Sequence, residues 1–110
     1  EALEFLTSVR EQLTGDGYHA NLYVYMSANT TMETDGFYYA WAEVARIARL
    51  WVAAWGTDNG RIPDAQPRVG PWIGRGGWSI WQYTSQARVP GDGVGAVDAN
   101  IAKADAWALR

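Results

Sequence analysis

The sequence predicts an α/β domain with a sheet that is parallel at its front. In two segments the apolar residues recur at helical spacing. Each of these segments lies next to a short run of strand-forming residues. Two further strand-like runs follow without helices between them. The length of 110 residues suits one domain. Hydrophobic residues at 48% and charged residues at 19% are typical of a globular protein.

The first two elements are a helix and a strand. Leu3, Leu6 and Val9 recur at three- and four-residue spacing, which predicts a helix over residues 2–13. Residues 20–26 are rich in strand formers, and their centre is apolar at both odd and even positions. That pattern predicts a strand covered on both faces, as in a parallel sheet.

The middle of the chain predicts a loop, a second helix and a second strand. Residues 27–36 are polar and predict a loop. An apolar stripe that includes Trp41 and Val44 predicts a helix over 37–50. Residues 51–56 are a short apolar run ending in glycine, which predicts a buried strand. Strands joined through a helix favour a right-handed parallel unit.

The last third of the chain predicts a long loop, two strands and a closing helix. Residues 57–77 hold five glycines and three of the four prolines, which predicts a long loop. Loops of this length are commonly functional when ordered. Residues 78–84 and 97–100 predict the third and fourth strands, separated by a Gly/Pro turn over 89–95. Residues 101–109 predict a short closing helix.

Composition excludes several classes of function. Nine basic residues against twelve acidic ones give a net charge of −3, which disfavours binding to a nucleic-acid backbone. The sequence has no cysteine, so disulfides, thiolate metal sites and cysteine nucleophiles are excluded. The single histidine, His19, rules out a His-rich metal site. No apolar run approaches the roughly 18 residues of a membrane span.

The aromatic content is unusual, with seven tryptophans and six tyrosines. Trp and Tyr combine a flat apolar face with a polar group, which suits a ligand surface. The alternative is a core packed with indole rings. Composition alone leaves both interpretations open, although Trp51 and Trp81 are predicted to be core residues.

Polar and aromatic residues cluster where the predicted strands end, which is the usual functional edge of a parallel α/β sheet. One carboxylate, aromatic faces and amide groups together suit a carbohydrate, because sugar C–H faces stack on aromatic rings and hydroxyls need acceptors. For Asp98 the alternative is a carboxylate that stabilises a turn, and Tyr25 and Trp55 could belong to the core. The candidate residues are Tyr25, Ser27, Trp55, Gln82, Tyr83, Thr84, Asp98 and Asn100.

Glycoside hydrolysis normally needs two acidic groups, or one acid plus assistance from the substrate. Asp98 could be one, but the sequence offers no convincing second. The other acidic residues fall in polar loops, in turns where Asp is ordinary, or on a predicted exposed helix face. They include Glu33, Asp35, Glu43, Asp58, Asp64 and Asp92.

Four segments, in order, resemble the C-terminal half of glycoside hydrolase family 25, the muramidases of bacteria and phage endolysins. They are Tyr25-Met26-Ser27, Trp51-Val52-Ala53-Ala54-Trp55-Gly56, Trp78-Ser79-Ile80-Trp81-Gln82-Tyr83-Thr84-Ser85 and Val97-Asp98-Ala99-Asn100. The Trp-Gln-Tyr-Thr-Ser stretch, followed by Val-Pro-Gly and Val-Asp-x-Asn, is the most specific part. The resemblance covers nearly the whole chain.

The resemblance implies an irregular (β/α)5(β)3 TIM-like barrel, of which residues 1–110 form a single partial domain with strands five to eight. It implies cleavage of the β-1,4 bond between N-acetylmuramic acid and N-acetylglucosamine in peptidoglycan, without metal or cofactor. Asp98 matches the family's eighth-strand active-site Asp, and Tyr25 matches its fifth-strand pocket Tyr. Trp55 stands where the family more often has Tyr. Gln82, Tyr83 and Asn100 are expected to help bind the glycan.

The sequence departs from the family in one serious respect. The family's general acid is the Glu of an Asp-x-Glu motif, and this chain has no Asp-x-Glu. The chain also begins at Glu1 inside a predicted helix. We therefore expect an upstream segment, a second polypeptide or self-association to cover the open half of the barrel. The expected location is extracellular or at the cell wall, or the protein is phage-encoded and released from the host cytoplasm. The alternatives are a non-catalytic glycan-binding or structural module of the same fold, and an unrelated aromatic-rich α/β domain.

Overall fold

The computed structural model describes residues 2–17, 21–33, 41–91, 93 and 95–108. They form a mixed α/β fold around one open four-stranded sheet in the order β1-β2-β3-β4. Its elements are helix α1 (Ala2–Gly15), strand β1 (Leu22–Ser27), helix α2 (Ala28–Thr31), helix α3 (Trp41–Ile47), strand β2 (Ala48–Ala53), a 3-10 helix (Gly70–Arg75), strand β3 (Ile80–Ala87) and strand β4 (Val97–Ala102).

The sheet is parallel across β1, β2 and β3, and β4 returns antiparallel to β3. The prediction of a parallel front is confirmed. The placement of Asp98 at the C-terminal end of a parallel strand is wrong, because Asp98 lies near the start of β4. The antiparallel direction nevertheless brings the start of β4 to the end of β3, since Val97 pairs with Ala87. Asp98 therefore reaches the expected edge of the sheet by a different topology.

Strand β2 starts three residues earlier than predicted. The stripe Trp41, Val44 and Ala45 is buried on α3, but the helix ends at Ile47. The prediction that the helix continues to residue 50 is wrong. From Ala48 onward, alternate residues are almost fully buried, which is the period of a strand. Pairing of this segment with the whole of β1 outweighs its helical spacing.

Two other predictions also need correction. Residues 28–31 form a short helix instead of a loop, because the Ser27 hydroxyl accepts a hydrogen bond from the Thr30 amide and caps the helix. Residues 101–102 continue β4, and 103–108 are turns, so the closing helix is wrong over the described residues. The parts of the predicted elements that fall on residues 18–20, 34–40 and 109 lie outside the described residues. His19, Asp35 and Asp92 also lie outside them.

Among the described residues, the main hydrophobic core lies on one face of the sheet. Leu50, Val52 and Trp81 from that face pack with Val44 of α3 and with Trp72 of the 3-10 helix. The Trp72 indole is fully buried, and its Nε1 donates to the Ala48 carbonyl at 2.9 Å. The expectation that β1 is covered on both faces is therefore wrong, since Tyr25 on its other face is 55% exposed.

The C-terminal turns close the lower end of the open face, where the parallel strands begin. The Tyr23 hydroxyl donates to the Ala106 carbonyl, and the Arg49 guanidinium donates to the Ala108 carbonyl at 2.7 Å. The ring of Tyr23 also lies 6.0 Å from that of Trp107. These contacts leave the upper end, where the strands β1 to β3 end, as the accessible part of this face.

Candidate functional site

Gln82 is the centre of a hydrogen-bonded cluster at the upper end of the open face. Its side chain is 5% exposed. Its Oε1 accepts from the Tyr25 hydroxyl at 2.9 Å and from the Trp55 indole Nε1 at 3.0 Å. Its Nε2 lies 3.4 Å from Asp98 Oδ2, which makes a longer hydrogen bond. We call Tyr25, Trp55, Gln82 and Asp98 the Gln82 cluster.

The sheet positions each member of the cluster. Tyr25 stands near the end of β1, Trp55 follows the end of β2, Gln82 lies on β3 and Asp98 on β4. All four were predicted as site residues, and the structure brings them together. Gln82 could not have been identified as their centre from sequence, because its role depends on the register between four strands.

Irregular pairing between β3 and β4 influences the direction in which the side chains of the Gln82 cluster point. Gln82 pairs with Asn100, but Thr84 pairs with Ala99, so β3 carries one extra residue between them. Such bulges bend a strand and redirect its side chains, and they are frequent beside functional sites. The extra residue is Tyr83, which packs against the hydrophobic core. The structure therefore places Tyr83 apart from the cluster it was predicted to join.

Asn100 lies beside the cluster and contacts it through Trp51. Asn100 Oδ1 accepts from the Trp51 indole at 2.8 Å, and the Trp51 ring meets that of Tyr25 edge-on at 5.6 Å. Trp51 is half-buried on the open face, whereas Trp81 is 2% exposed. The prediction of a core role is confirmed for Trp81 and wrong for Trp51, which extends the aromatic surface around Tyr25.

The cluster combines exposed aromatic rings with a carboxylate. Tyr25 is 55% and Trp55 39% exposed, and Asp98 is exposed. Because the polar atoms of both rings are held by Gln82, their orientation is fixed while part of each ring stays open to solvent. The arrangement can offer a flat apolar surface beside a hydrogen-bond acceptor. That pairing fits a ligand with apolar faces and hydroxyl groups.

Asp58 is a second carboxylate near the site, but its oxygens are already engaged. Oδ1 accepts from the Thr84 hydroxyl and from the Ser85 amide, both at 2.7 Å, and Oδ2 accepts from the Ser85 hydroxyl. The hydrogen bonds from Ser85, and then that from Thr84, hold the pKa of Asp58 below its usual value. A carboxyl group kept ionised in this way is poorly suited to act as a general acid.

Thr84, another predicted site residue, is fully buried and uses its hydroxyl completely. It donates to Asp58 and accepts from the amides of Gly60 and Gln86, each at 3.1 Å. Thr84 therefore has a structural role, and Ser27, also predicted for the site, caps α2. Sequence reasoning treated Asp58 as an ordinary turn residue. The signal available was its Asp-Asn-Gly context, which begins three residues after Trp55.

Other features of the surface lie away from the cluster. A depression of about 710 Å³ is formed by α2, α3 and the 3-10 helix with the residues before it, and includes Met32 and Ile73. Over the described ranges, no group of three or more acidic, His or Cys side chains could hold a metal ion. The helices described are also too short or too polar to cross a membrane.

No family model, curated protein or solved structure matches the chain. The resemblance to family 25 therefore depends on four segments of the sequence, which are residues 25–27, 51–56, 78–85 and 97–100.

Proposed function

We propose that the chain is the C-terminal half of a peptidoglycan hydrolase of the muramidase type, and that the Gln82 cluster binds the glycan strand. The observation that carries the proposal is the convergence of Tyr25, Trp55 and Asp98 on one buried amide. Tyr25 comes from β1, Trp55 from the segment after β2 and Asp98 from β4, and their residue types match a sugar. A mere packing arrangement gives no reason for two large rings to remain exposed around a carboxylate.

In this proposal Asp98 faces the reacting sugar and helps to position it or to stabilise developing positive charge. Trp55 and Tyr25 form the apolar wall. Hydrolysis also needs a proton donor for the leaving oxygen. Asp98 is the one carboxylate that bonds to Gln82 among the described residues, and Asp58 is held ionised. The acid is therefore proposed to come from a polypeptide outside these residues.

The same proposal gives a role to the uncovered parts of the sheet. Strand β1 is an edge strand, and edge strands readily pair with another chain. Beside it lies a groove of about 520 Å³, whose lining includes Phe5, Leu6, Val24 and Met26. Phe5 is 68% exposed. We propose that a strand of the completing polypeptide pairs with β1 and fills this groove, so that the sheet continues as the other half of a (β/α)5(β)3 barrel.

The sequence has no Asp-x-Glu motif, and Asp58 is held ionised, which together favour a second candidate, a non-catalytic glycan-binding module. Both candidates place the ligand on the Gln82 cluster. Both also imply that the protein acts outside the cell or at the cell wall, or that it is a phage protein released from the host cytoplasm to the cell wall. They differ in chemistry, because only the hydrolase produces new reducing ends.

The test combines co-sedimentation with insoluble peptidoglycan and a reducing-end assay. The chain is assayed alone and together with a polypeptide that carries an Asp-x-Glu motif and pairs with it. Binding by the chain, with reducing ends released only by the pair, supports the half-muramidase. Binding without release in either case supports the binding module. Absence of binding by both samples contradicts both candidates.

A further inference from the structure

Trp55 is held between two attachments to β3. Before it, the Ala54 amide donates to the Gln82 carbonyl at 3.1 Å, and the Ala54 carbonyl accepts from the Trp81 indole at 2.9 Å. After it, the Asp58 amide donates to the Trp55 carbonyl at 2.8 Å and closes a tight turn. The position of the Trp55 ring therefore depends on where this turn is fixed.

The Asp58 carboxylate fixes the turn on β3. It accepts three hydrogen bonds from Thr84 and Ser85, the residues that follow Gln82 and Tyr83 on the strand. The Gly60 amide adds a bond to the Thr84 hydroxyl, so both ends of the Asp58-Asn59-Gly60 segment are tied to the same residue. Thr84 itself is fully buried.

The backbone of this turn is unusual. Asp58 has a φ of 51°, in the left-handed region where residues other than glycine are uncommon and Asp and Asn are over-represented. Gly56, one residue after Trp55, also has a positive φ of 58°. A left-handed conformation at Asp58 is unfavourable by itself, and the three bonds to its carboxylate supply the compensation.

We infer that Asp58 is a positioning residue, whose carboxylate clamps the turn after β2 onto β3 and thereby holds Trp55 on Gln82 as the aromatic wall of the glycan site. The inference rests on the proposed function for the identity of the ligand. The mechanical link between Asp58 and Trp55 does not depend on the proposed function, and it can be measured without any ligand.

The first measurement follows the Trp55 indole N–H by NMR, with Trp55→Phe used to assign its signal. In Asp58→Ala the signal should shift and exchange faster with solvent, because the hydrogen bond to Gln82 is weakened. Asp64→Ala, an exposed carboxylate in the same loop, should leave the signal unchanged. Asp58→Asn keeps one acceptor oxygen and should give an intermediate result. An unchanged Trp55 signal in both Asp58 variants overturns the inference.

The second measurement titrates the same proteins with a β-1,4-linked tetramer of N-acetylglucosamine. Asp58→Ala should raise Kd at least about threefold, which corresponds to a loss of about 0.65 kcal/mol. Asp64→Ala should match the unmodified chain. Equal affinity in Asp58→Ala and Asp64→Ala contradicts the positioning role. If the unmodified chain, alone and paired with the completing polypeptide, does not bind the tetramer while the Trp55 signal responds as expected, the proposed function fails and the link between Asp58 and Trp55 stands.

Discussion

The hydrogen bond between Tyr25 and Gln82 provides a quantitative test of the Gln82 cluster. Replacing Gln82 with Leu removes both the acceptor for Tyr25 and the acceptor for Trp55, and also adds buried apolar surface. A single substitution therefore mixes several effects. A double-mutant cycle with Tyr25→Phe isolates the Tyr25–Gln82 term, because Phe removes only the hydroxyl.

The expected coupling follows from the geometry of this pair. The Tyr25 hydroxyl lies 2.9 Å from Gln82 Oε1, which is a normal bond length, and both groups are neutral. A neutral side-chain bond contributes about 0.5–1.5 kcal/mol net. Because Tyr25 is 55% exposed, water can replace Gln82 after substitution, so we expect a coupling free energy near the lower end, about 0.5–1 kcal/mol.

The assay is urea unfolding of the four proteins in the cycle, followed by tryptophan fluorescence. A matched control cycle combines Tyr25→Phe with Gln86→Leu, which changes an exposed glutamine on the same strand. The control coupling should stay within about 0.3–0.5 kcal/mol of zero. If the Gln82 cycle gives no more than the control cycle, the bond contributes nothing and the cluster is not a coupled unit.

Three further predictions concern the framework around the cluster. Gly70→Ala should lower the Tm strongly, because Gly70 has a φ of 52° and a Cβ there would lie 2.0 Å from the Thr31 carbonyl oxygen. The control is Gly74→Ala, since a Cβ at Gly74 would meet open space. Equal Tm values for the two variants would contradict this prediction. Trp72→Ala should lower the free energy of unfolding by about 3–5 kcal/mol in urea titrations. Since the folded-state pKa of Asp58 is depressed, its contribution to stability is present above pH about 4 and is lost as the pH falls through the folded value; Asp58→Ala should flatten that part of the stability–pH curve.

Sequence reasoning predicted the order of the main helices and strands, but not their boundaries. Ala48, Leu50 and Val52 alternate in burial along β2, yet Ala48 also continues the helical spacing of Trp41 and Val44. Local pattern cannot decide between the two, and pairing with β1 does. The direction of β4 was equally hidden, because a Gly/Pro turn is compatible with several connections.

The sequence predicted which residues belong to the candidate site better than it predicted the contacts between them. Tyr25, Trp55 and Gln82 follow from the rule that the ends of parallel strands meet at one edge of a sheet. Asp98 joins them because β4 runs antiparallel to β3. Tyr83 was placed with them because it adjoins Gln82 in sequence, but neighbouring residues on a strand point to opposite faces. The bulge that includes Tyr83 depends on long-range pairing, which no local pattern reveals.

The most direct test of the central claim is a map of where a peptidoglycan glycan binds. The NMR spectrum of the ¹⁵N-labelled chain is recorded during titration with soluble, β-1,4-linked N-acetylmuramic acid–N-acetylglucosamine fragments. The account predicts saturable shifts of the Trp55 indole and the Gln82 side-chain amide, weakened in Asp98→Asn at unchanged Tm. Saturable shifts confined to the depression around Met32 and Ile73, or equal affinity in Asp98→Asn, would contradict a glycan site on the Gln82 cluster.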